Sequence, residues 1–280
     1  MIVDAHHHIW RYQRGAEPWI DQRDELAILR RDYGATELRE LVRANGIDRT
    51  VIIQASDSIE ETLFMAEQAA AYPFMSGVVG WLPLDDPRAT EQALEQYALT
   101  ATLKGFRHMI IWEADPEWLL RPKVLESLAL VAERGYSWDS TATTTHHLEQ
   151  VCVVSERQPN LRHAIDHLGK PAATEGAWEP WASLMARAAI YPNMYVKLSG
   201  LTNIATLKNA TVEQFRPYVD WVLQHFGAER VMLGSNWPVC LLGADYGTTW
   251  RDLTSLIAHL SDKERAAIMG ATAARFYRLL

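Results

Sequence analysis

Residues 50–81 read TVIIQASDSIEETLFMAEQAAAYPFMSGVVGW and contain two β-rich runs separated by a segment with helical spacing. The runs, Thr50–Gln54 and Ser76–Trp81, are apolar over nearly their whole length. A strand of an antiparallel sandwich usually alternates polar and apolar residues, whereas a parallel strand is buried on both faces. This stretch therefore predicts a strand, a helix and a second strand of a parallel sheet.

The same alternation recurs along the whole chain of 280 residues. Apolar residues at three- and four-residue spacing, such as Leu38, Leu41 and Val42, predict amphipathic helices between the strands. Gly46 and Gly227 fit helix C-caps that precede the next strand. The predicted strands are Ile2–Ala5, Thr50–Gln54, Ser76–Trp81, Leu103–His108, Tyr136–Ser140, Leu161–Asp166, Met194–Leu198 and Val231–Gly234.

This series of strand and helix units predicts an α/β fold, a closed (β/α)8 barrel of the TIM type, formed by residues 1–280 as a single domain. An open doubly wound sheet is the alternative, but no glycine-rich dinucleotide fingerprint follows any strand. No internal repeat or Pro/Ser-rich linker interrupts the series.

The composition narrows the classes of partner. Lys and Arg number 27 against 35 Asp and Glu, for a net charge of −8, and no basic stripe is present, so nucleic acid is not expected. Apolar stretches are only strand-length, which predicts a cytoplasmic protein with no membrane or export segment. Cys152 and Cys240 cannot form a disulfide framework and are predicted to be packing residues. A homo-oligomer is not excluded.

The first strand leads into His6-His7-His8. Active sites of such barrels lie at the carboxyl ends of the strands, and strand alternation places His6 and His8 on one face. Paired imidazoles suit the binding of one divalent metal or the joint polarisation of a carbonyl. A surface cluster or an affinity-tag remnant is the alternative, but a tag would not follow Asp4 and lead into Ile9-Trp10.

Other strand ends add candidate groups. His167 follows the sixth strand and completes a ligand triad with His6 and His8. Arg107 and His108 end the fourth strand, and their side chains could hold or protonate a substrate oxygen.

Several of these segments together resemble the amidohydrolase superfamily, of the amidohydrolase 2 type, and within it the sugar-lactone hydrolase branch. The resemblance covers almost the whole chain and rests on Asp4–His8, Lys104–His108, Asp166–Pro171, Lys197–Leu201 and Gly234–Val239. It implies a distorted (β/α)8 barrel in which water opens a lactone of a sugar acid. It also implies one divalent metal, most simply Zn2+ on His6, His8 and His167, or none; both alternatives stay open. No lysine suited to bridging two metals is found on strand four.

Two departures from the family pattern bear on mechanism. Asn236 stands where the family usually carries an aspartate that activates water, and an amide cannot take up a proton near neutral pH. A metal-bound hydroxide, another base such as His108, or weak activity are the competing explanations. The second departure is Trp138–His147, where many relatives carry an apolar, arginine-containing strand end.

Substrate contacts are expected from polar and aromatic side chains at or just past the strand ends, with packing as the alternative for each. Asp166 is expected to point away from His167 and to orient a neighbouring strand end. Lys170 and Lys197 are weak candidates for ligand contacts, because a lysine is usually solvated or salt-bridged. The substrate-binding candidates are Arg107, Trp10, Gln54, Trp81, Trp112 and Trp237.

The expected function is hydrolysis of a sugar-acid lactone, with His6, His8, His167, His108 and Asn236 as the catalytic candidates. Two alternatives remain: a metal-dependent decarboxylase of the same superfamily, and a lactone-binding protein that has lost turnover because of Asn236.

Overall fold

The computed structural model describes residues 1–14, 18–21, 23–207 and 210–279. Its strands form one parallel sheet in which each strand pairs with its neighbours in sequence order. The strands are β1 Val3–His7, β2 Arg49–Ile53, β3 Met75–Gly80, β4 Leu103–His108, β5 Ser137–Ser140, β6 Arg162–Ile165, β7 Met194–Leu198 and β8 Val231–Leu233.

Helices alternate with these strands, as the sequence pattern predicts. They are α1 Pro18–Asp21, α2 Ala35–Ala44, α3 Ile59–Ala71, α4 Pro87–Tyr97, α5 Pro122–Glu133, α6 Thr145–Arg157, α7 Trp181–Ala189, α8 Leu201–Leu207, α9 Arg216–Phe226, α10 Tyr246–Ser255, α11 Asp262–Ala266 and α12 Thr272–Tyr277. Gly46 and Gly227 follow α2 and α9 with φ of 67° and 70°, a backbone conformation that glycine adopts without penalty.

The sheet is nearly closed into a barrel, so the predicted fold class is confirmed. Closure uses the segment that follows β8: the Asn236 amide donates to the His6 carbonyl at 2.7 Å, and the His8 amide donates to the Trp237 carbonyl at 2.6 Å. These two bonds fix the first and last strand ends against each other and bring His6, His8 and Asn236 into one region.

The C-terminal helix α12 fills the other end of the barrel. Phe276 and Tyr277 are fully buried and pack with inward-facing strand residues such as Val3, Val51 and Met232. Burying such large apolar side chains is worth roughly 1.5–3 kcal/mol each. One consequence for function is that the Tyr277 hydroxyl reaches into the barrel interior.

Two further observations concern membrane spans and cysteines. Within the described ranges, no helix combines the length and apolar character needed to cross a membrane. Cys152 and Cys240 are free and buried, which agrees with their predicted packing role.

Candidate active site

A cavity of about 530 Å3 lies at the carboxyl ends of the strands. This volume is within the range of small-molecule sites. Six of the residues singled out from the sequence line it, namely His8, Trp10, Arg107, Trp112, His167 and Asn236. Their common position follows from the parallel barrel, which collects all the carboxyl strand ends at one face.

His8 presents one unprotonated ring nitrogen to its surroundings. Its Nδ1 lies 2.7 Å from the carbonyl oxygen of Ile53, which can only accept, so Nδ1 carries the proton and Nε2 has a lone pair. Burial and the positive charge of Arg107 hold the pKa of His8 well below its ordinary value. The imidazole is therefore neutral across the physiological range.

His167 is held in a second orientation by its neighbours. Its Nδ1 forms a hydrogen bond of 2.8 Å with Ser199 Oγ, and its ring centroid lies 4.6 Å from that of His6. A Cβ added at Gly200 would lie 2.9 Å from His167 Nδ1, so glycine is required for this close approach. Burial lowers the pKa of His167 to about 3, which keeps this imidazole neutral as well.

Asn236 adopts a left-handed backbone with φ of 57°, a conformation that asparagine tolerates better than most residues. The preceding Ser235 donates through its amide and hydroxyl to Asp4, at 2.8 and 2.6 Å, and Tyr246 donates to the same carboxylate at 2.8 Å. A buried carboxylate on β1 thus positions the loop that carries Asn236.

Beneath the cavity lies a buried charge network, which consists of Arg107, Asp139, Asp166 and Lys197. Arg107 Nη1 donates to Asp166 Oδ2 at 2.9 Å, and its Nε donates to Gln54 Oε1 at 2.9 Å. Arg107 Nη2 donates to the Gln54 carbonyl. These three bonds fix the plane of the guanidinium, which also borders the cavity.

Lys197 is the second cation of this network and is completely buried. Its Nζ donates to Asp139 Oδ2 at 2.5 Å and lies 3.1 Å from Asp166 Oδ1 and 3.3 Å from His6 Nδ1. The Tyr277 hydroxyl donates to Asp139 Oδ2 at 2.7 Å. Two buried cations therefore face two buried carboxylates, and the charges balance within the barrel.

The electrostatic effects on the two carboxyl groups differ. Burial acts to raise the pKa of Asp166, but Lys197, His6 and Arg107 outweigh it and hold that pKa well below the usual range. For Asp139, burial is the larger effect and its pKa is raised despite the adjacent Lys197. The pKa of His6 is held well below its usual value, first by burial and then, among the lowering effects, by Lys197.

One group of donor atoms near the cavity has the spacing that a metal ion would need. Of the residues the structure describes, His6, Asp166 and His167 place donor atoms within 4.8 Å of one another, whereas the predicted ligand His8 lies outside that set. Asp166 Oδ1 accepts no well-aligned hydrogen bond. However, Arg107 Nη1 lies 3.4 Å from His6 Nε2, and Lys197 Nζ lies near the other ring nitrogen. A divalent ion would meet two fixed positive charges, so this donor set does not fit one.

His108 is separated from the cavity by its own partners. Its Nε2 lies 2.6 Å from Glu113 Oε1, and Trp81 Nε1 donates to its Nδ1 at 3.0 Å. The ring stacks on Trp118 at 4.1 Å between centroids. Both nitrogens of His108 are engaged, so this arrangement offers no lone pair for the role of base considered for it.

Three predicted substrate contacts also lie outside the cavity lining. Gln54 and Trp237 are fully buried: the first holds Arg107, and the second packs edge-on against Tyr33 at 5.3 Å. Trp81 donates to His108 instead of facing the cavity. These three residues therefore pack outside the layer of side chains that lines the cavity.

Sequence reasoning gave too little weight to Asp166 and Lys197 and overlooked Asp139 and Tyr277. Asp166 does follow the buried sixth strand, and Lys197 lies within the apolar seventh strand. A charged residue inside an apolar strand is a usable signal, because a buried charge requires a partner. No local pattern connects Tyr277 to Asp139.

The chain is similar to known proteins over nearly its whole length. The family model described as "Amidohydrolase" matches residues 3–279. This chain belongs to the amidohydrolase family. Two curated relatives of this amidohydrolase are both named L-fucono-1,5-lactonase. The one from Burkholderia ambifaria is 31% identical over 99% of this chain and 95% of its own. That from Burkholderia multivorans is 32% identical over 99% of this chain and 96% of its own.

Solved structures give the same result for the fold of this amidohydrolase. The crystal structure of an amidohydrolase from Burkholderia multivorans with bound zinc has a TM-score of 0.92 and 31% identity, and covers 100% of both chains. A relative with this fold is therefore found with a metal.

Proposed function

We propose that this amidohydrolase hydrolyses a sugar-acid lactone to the open-chain acid by addition of water to the lactone carbonyl. The observation that carries the proposal is the joint presence, around one cavity, of two neutral imidazoles and a rigidly held guanidinium. The names of the two curated relatives, at 31% and 32% identity, support the same reaction class.

Arg107 is the group that stabilises charge on the carbonyl oxygen. Arg107 forms three hydrogen bonds to Gln54 and Asp166. Because a guanidinium has five N–H groups, it can still donate a hydrogen bond to a substrate oxygen. Since the guanidinium is already fixed, it needs no reorganisation when negative charge develops on the oxygen. Such a preorganised donor lowers the barrier to water attack.

His8 is the proposed proton acceptor for the attacking water. The water oxygen bonds to the carbonyl carbon while its proton passes to His8 Nε2, whose lone pair is fixed by the Nδ1 bond to Ile53. The bond between the carbonyl carbon and the ring oxygen then breaks, and the ring oxygen takes the proton from the imidazolium. The low pKa of His8 makes it a weak base, so the reaction depends strongly on Arg107.

Asn236 orients water in this scheme but does not remove its proton. Its side-chain oxygen can accept from the water, and its amide can donate to the substrate. Trp10 and Trp112 are the proposed aromatic contacts for the sugar, since both line the cavity.

For the cofactor, we favour the metal-free alternative that the sequence left open. A zinc ion on His6, His8 and His167 would use one ring nitrogen of His6, so either Arg107, at 3.4 Å from Nε2, or Lys197, at 3.3 Å from Nδ1, would have to move away from it. The displaced cation would then no longer balance the buried carboxylate with which it is paired. In this proposal Arg107 supplies the positive charge that a Lewis acid would otherwise provide.

Acid release from a panel of aldonolactones at neutral pH tests this function, with spontaneous opening subtracted. We expect turnover by the unmodified protein, and an Asn236→Asp variant should turn over about 10²-fold faster because it restores a carboxylate base. Turnover by the variant alone would mean that the natural protein binds lactones without opening them. If neither protein released acid from any lactone, the proposed reaction would be refuted.

A further inference from the structure

The charges that line the cavity are of one sign. Arg23, Arg107 and Lys170 contribute cationic side chains, and no Asp or Glu is found among the described residues that line it. The chain as a whole carries a net charge of −8, so this cavity contrasts with the rest of the molecule. A cleft lined by one sign of charge concentrates small ligands of the opposite sign.

Two of these cations form no direct ion pair within the part of the chain that the structure describes. Arg107 is paired with Asp166 at 2.9 Å. Neither Arg23 nor Lys170 takes part in an ion pair with a carboxylate of the described residues, although Arg23 is close enough to Lys170 to affect its titration. Both side chains are exposed, and both border the cavity.

The backbone that presents Lys170 is strained. Four successive residues, His167 to Lys170, have positive φ values of 55°, 57°, 66° and 47°, and only the third is glycine. Non-glycine residues in this region cost about 1–3 kcal/mol each where the surrounding structure enforces them. Here the Lys170 amide donates to the His167 carbonyl at 2.9 Å, and Trp181 Nε1 donates to the Leu168 carbonyl at 2.9 Å.

The consequence of this turn is that one short segment supplies two groups to the same cavity. His167 begins it and Lys170 ends it, and both line the space in which the lactone would bind. A neutral imidazole and a cation are therefore held at a fixed separation along one turn.

We propose that Lys170 and Arg23 bind a free carboxylate on the substrate, so that the preferred lactones are those of sugar diacids. One carboxyl group of such a diacid is closed into the lactone and the other is ionised. This inference rests on the proposed function and names its substrate class. A neutral aldonolactone would leave both cations without a partner.

Two lactones that differ at one carbon test the proposal: galactaro-1,4-lactone, which carries a carboxylate at C6, and galactono-1,4-lactone, which carries a hydroxymethyl group there. We expect kcat/KM to be about 10²-fold higher for the first, because charge-assisted hydrogen bonds are formed with it alone. Added salt should reduce this preference, since exposed charges are screened.

Variants test whether Arg23 and Lys170 cause the preference for the lactone that carries a carboxylate. In Arg23→Met/Lys170→Met the preference should fall to about twofold or less, while kcat/KM for the neutral lactone stays nearly constant. Lys123→Met, on α5, is the matched control and should keep the full preference. Equal kcat/KM for the two lactones in the natural protein, or an equal loss on both in the double variant, would overturn the carboxylate site.

The proposal can fail separately from the proposed function. If neither lactone is opened, thermal stabilisation by galactarate and by galactonate is compared in the natural protein and in Arg23→Met/Lys170→Met. Stronger stabilisation by galactarate that is lost in the double variant would support the carboxylate site without the reaction. Equal stabilisation by the two acids would overturn it.

Discussion

Replacement of Arg107 by methionine is expected to lower kcat/KM for the preferred lactone by about 10³-fold. The substitution removes the fixed donor next to the carbonyl oxygen and leaves Gln54 Oε1 and Asp166 Oδ2 without their partner. Steady-state kinetics measure the effect, and the loss should appear mainly in kcat, because charge on the oxygen develops in the transition state.

Two comparisons separate this role from a loss of folding. Arg107→Lys keeps the charge but cannot reproduce three hydrogen bonds from one plane, so it should recover only part of the activity. Arg121→Met removes a half-exposed arginine that pairs with Asp115 and should leave the kinetics unchanged. If folded Arg107→Met kept a tenth or more of the natural rate, the guanidinium would not be the group that stabilises the carbonyl charge.

Replacement of Lys197 by methionine should affect both stability and the pH dependence of activity. Removing Lys197 leaves Asp139 without its cation and Asp166 with Arg107 alone, and breaking a buried ion pair in this way costs about 3–5 kcal/mol in the free energy of unfolding. Lys197 lowers the pKa of both Asp166 and His6, so its removal raises both. Asp166 and His6 are then protonated at a higher pH, so the acid limb of the pH–rate profile moves to higher pH.

A double variant distinguishes positioning from simple destabilisation. Lys197→Met/Asp139→Asn removes a cation together with its nearest carboxylate, so much of the lost stability should return. The acid limb should stay shifted, since Asp166 and His6 still lack the Lys197 charge. An acid limb at its natural position in either variant would show that Lys197 has only a structural role. Thermal unfolding and pH–rate profiles provide the two measurements.

The barrel could be predicted from the sequence because its signals are local. The apolar runs from Val51 to Ile53 and from Val78 to Val79 predict parallel strands by themselves, and both lie within strands of the barrel. Alternation along β1 also explains why the rings of His6 and His8 lie within 5.0 Å of each other.

The details of the site required long-range information. Arg107 was an evident candidate, but its contact with the fully buried Gln54 depends on how the barrel brings the ends of β2 and β4 together across β3, over 53 positions in sequence. The bond between Tyr277 and Asp139 spans 138 positions and depends on how the C-terminal helix enters the barrel. Pairings of this kind leave no periodic trace, so the position of Arg107 and Lys197 beside His6 could not be predicted from the sequence.

Metal analysis combined with lactone turnover tests the central claim most directly, namely that the fixed guanidinium of Arg107 polarises the substrate without a metal. The protein is treated with a strong chelator, its zinc and manganese contents are measured, and acid release is then followed on the lactone it prefers. The account predicts unchanged kcat/KM in metal-free protein and no gain on adding Zn2+. Loss of turnover on chelation, with recovery at one zinc ion per chain, would contradict it.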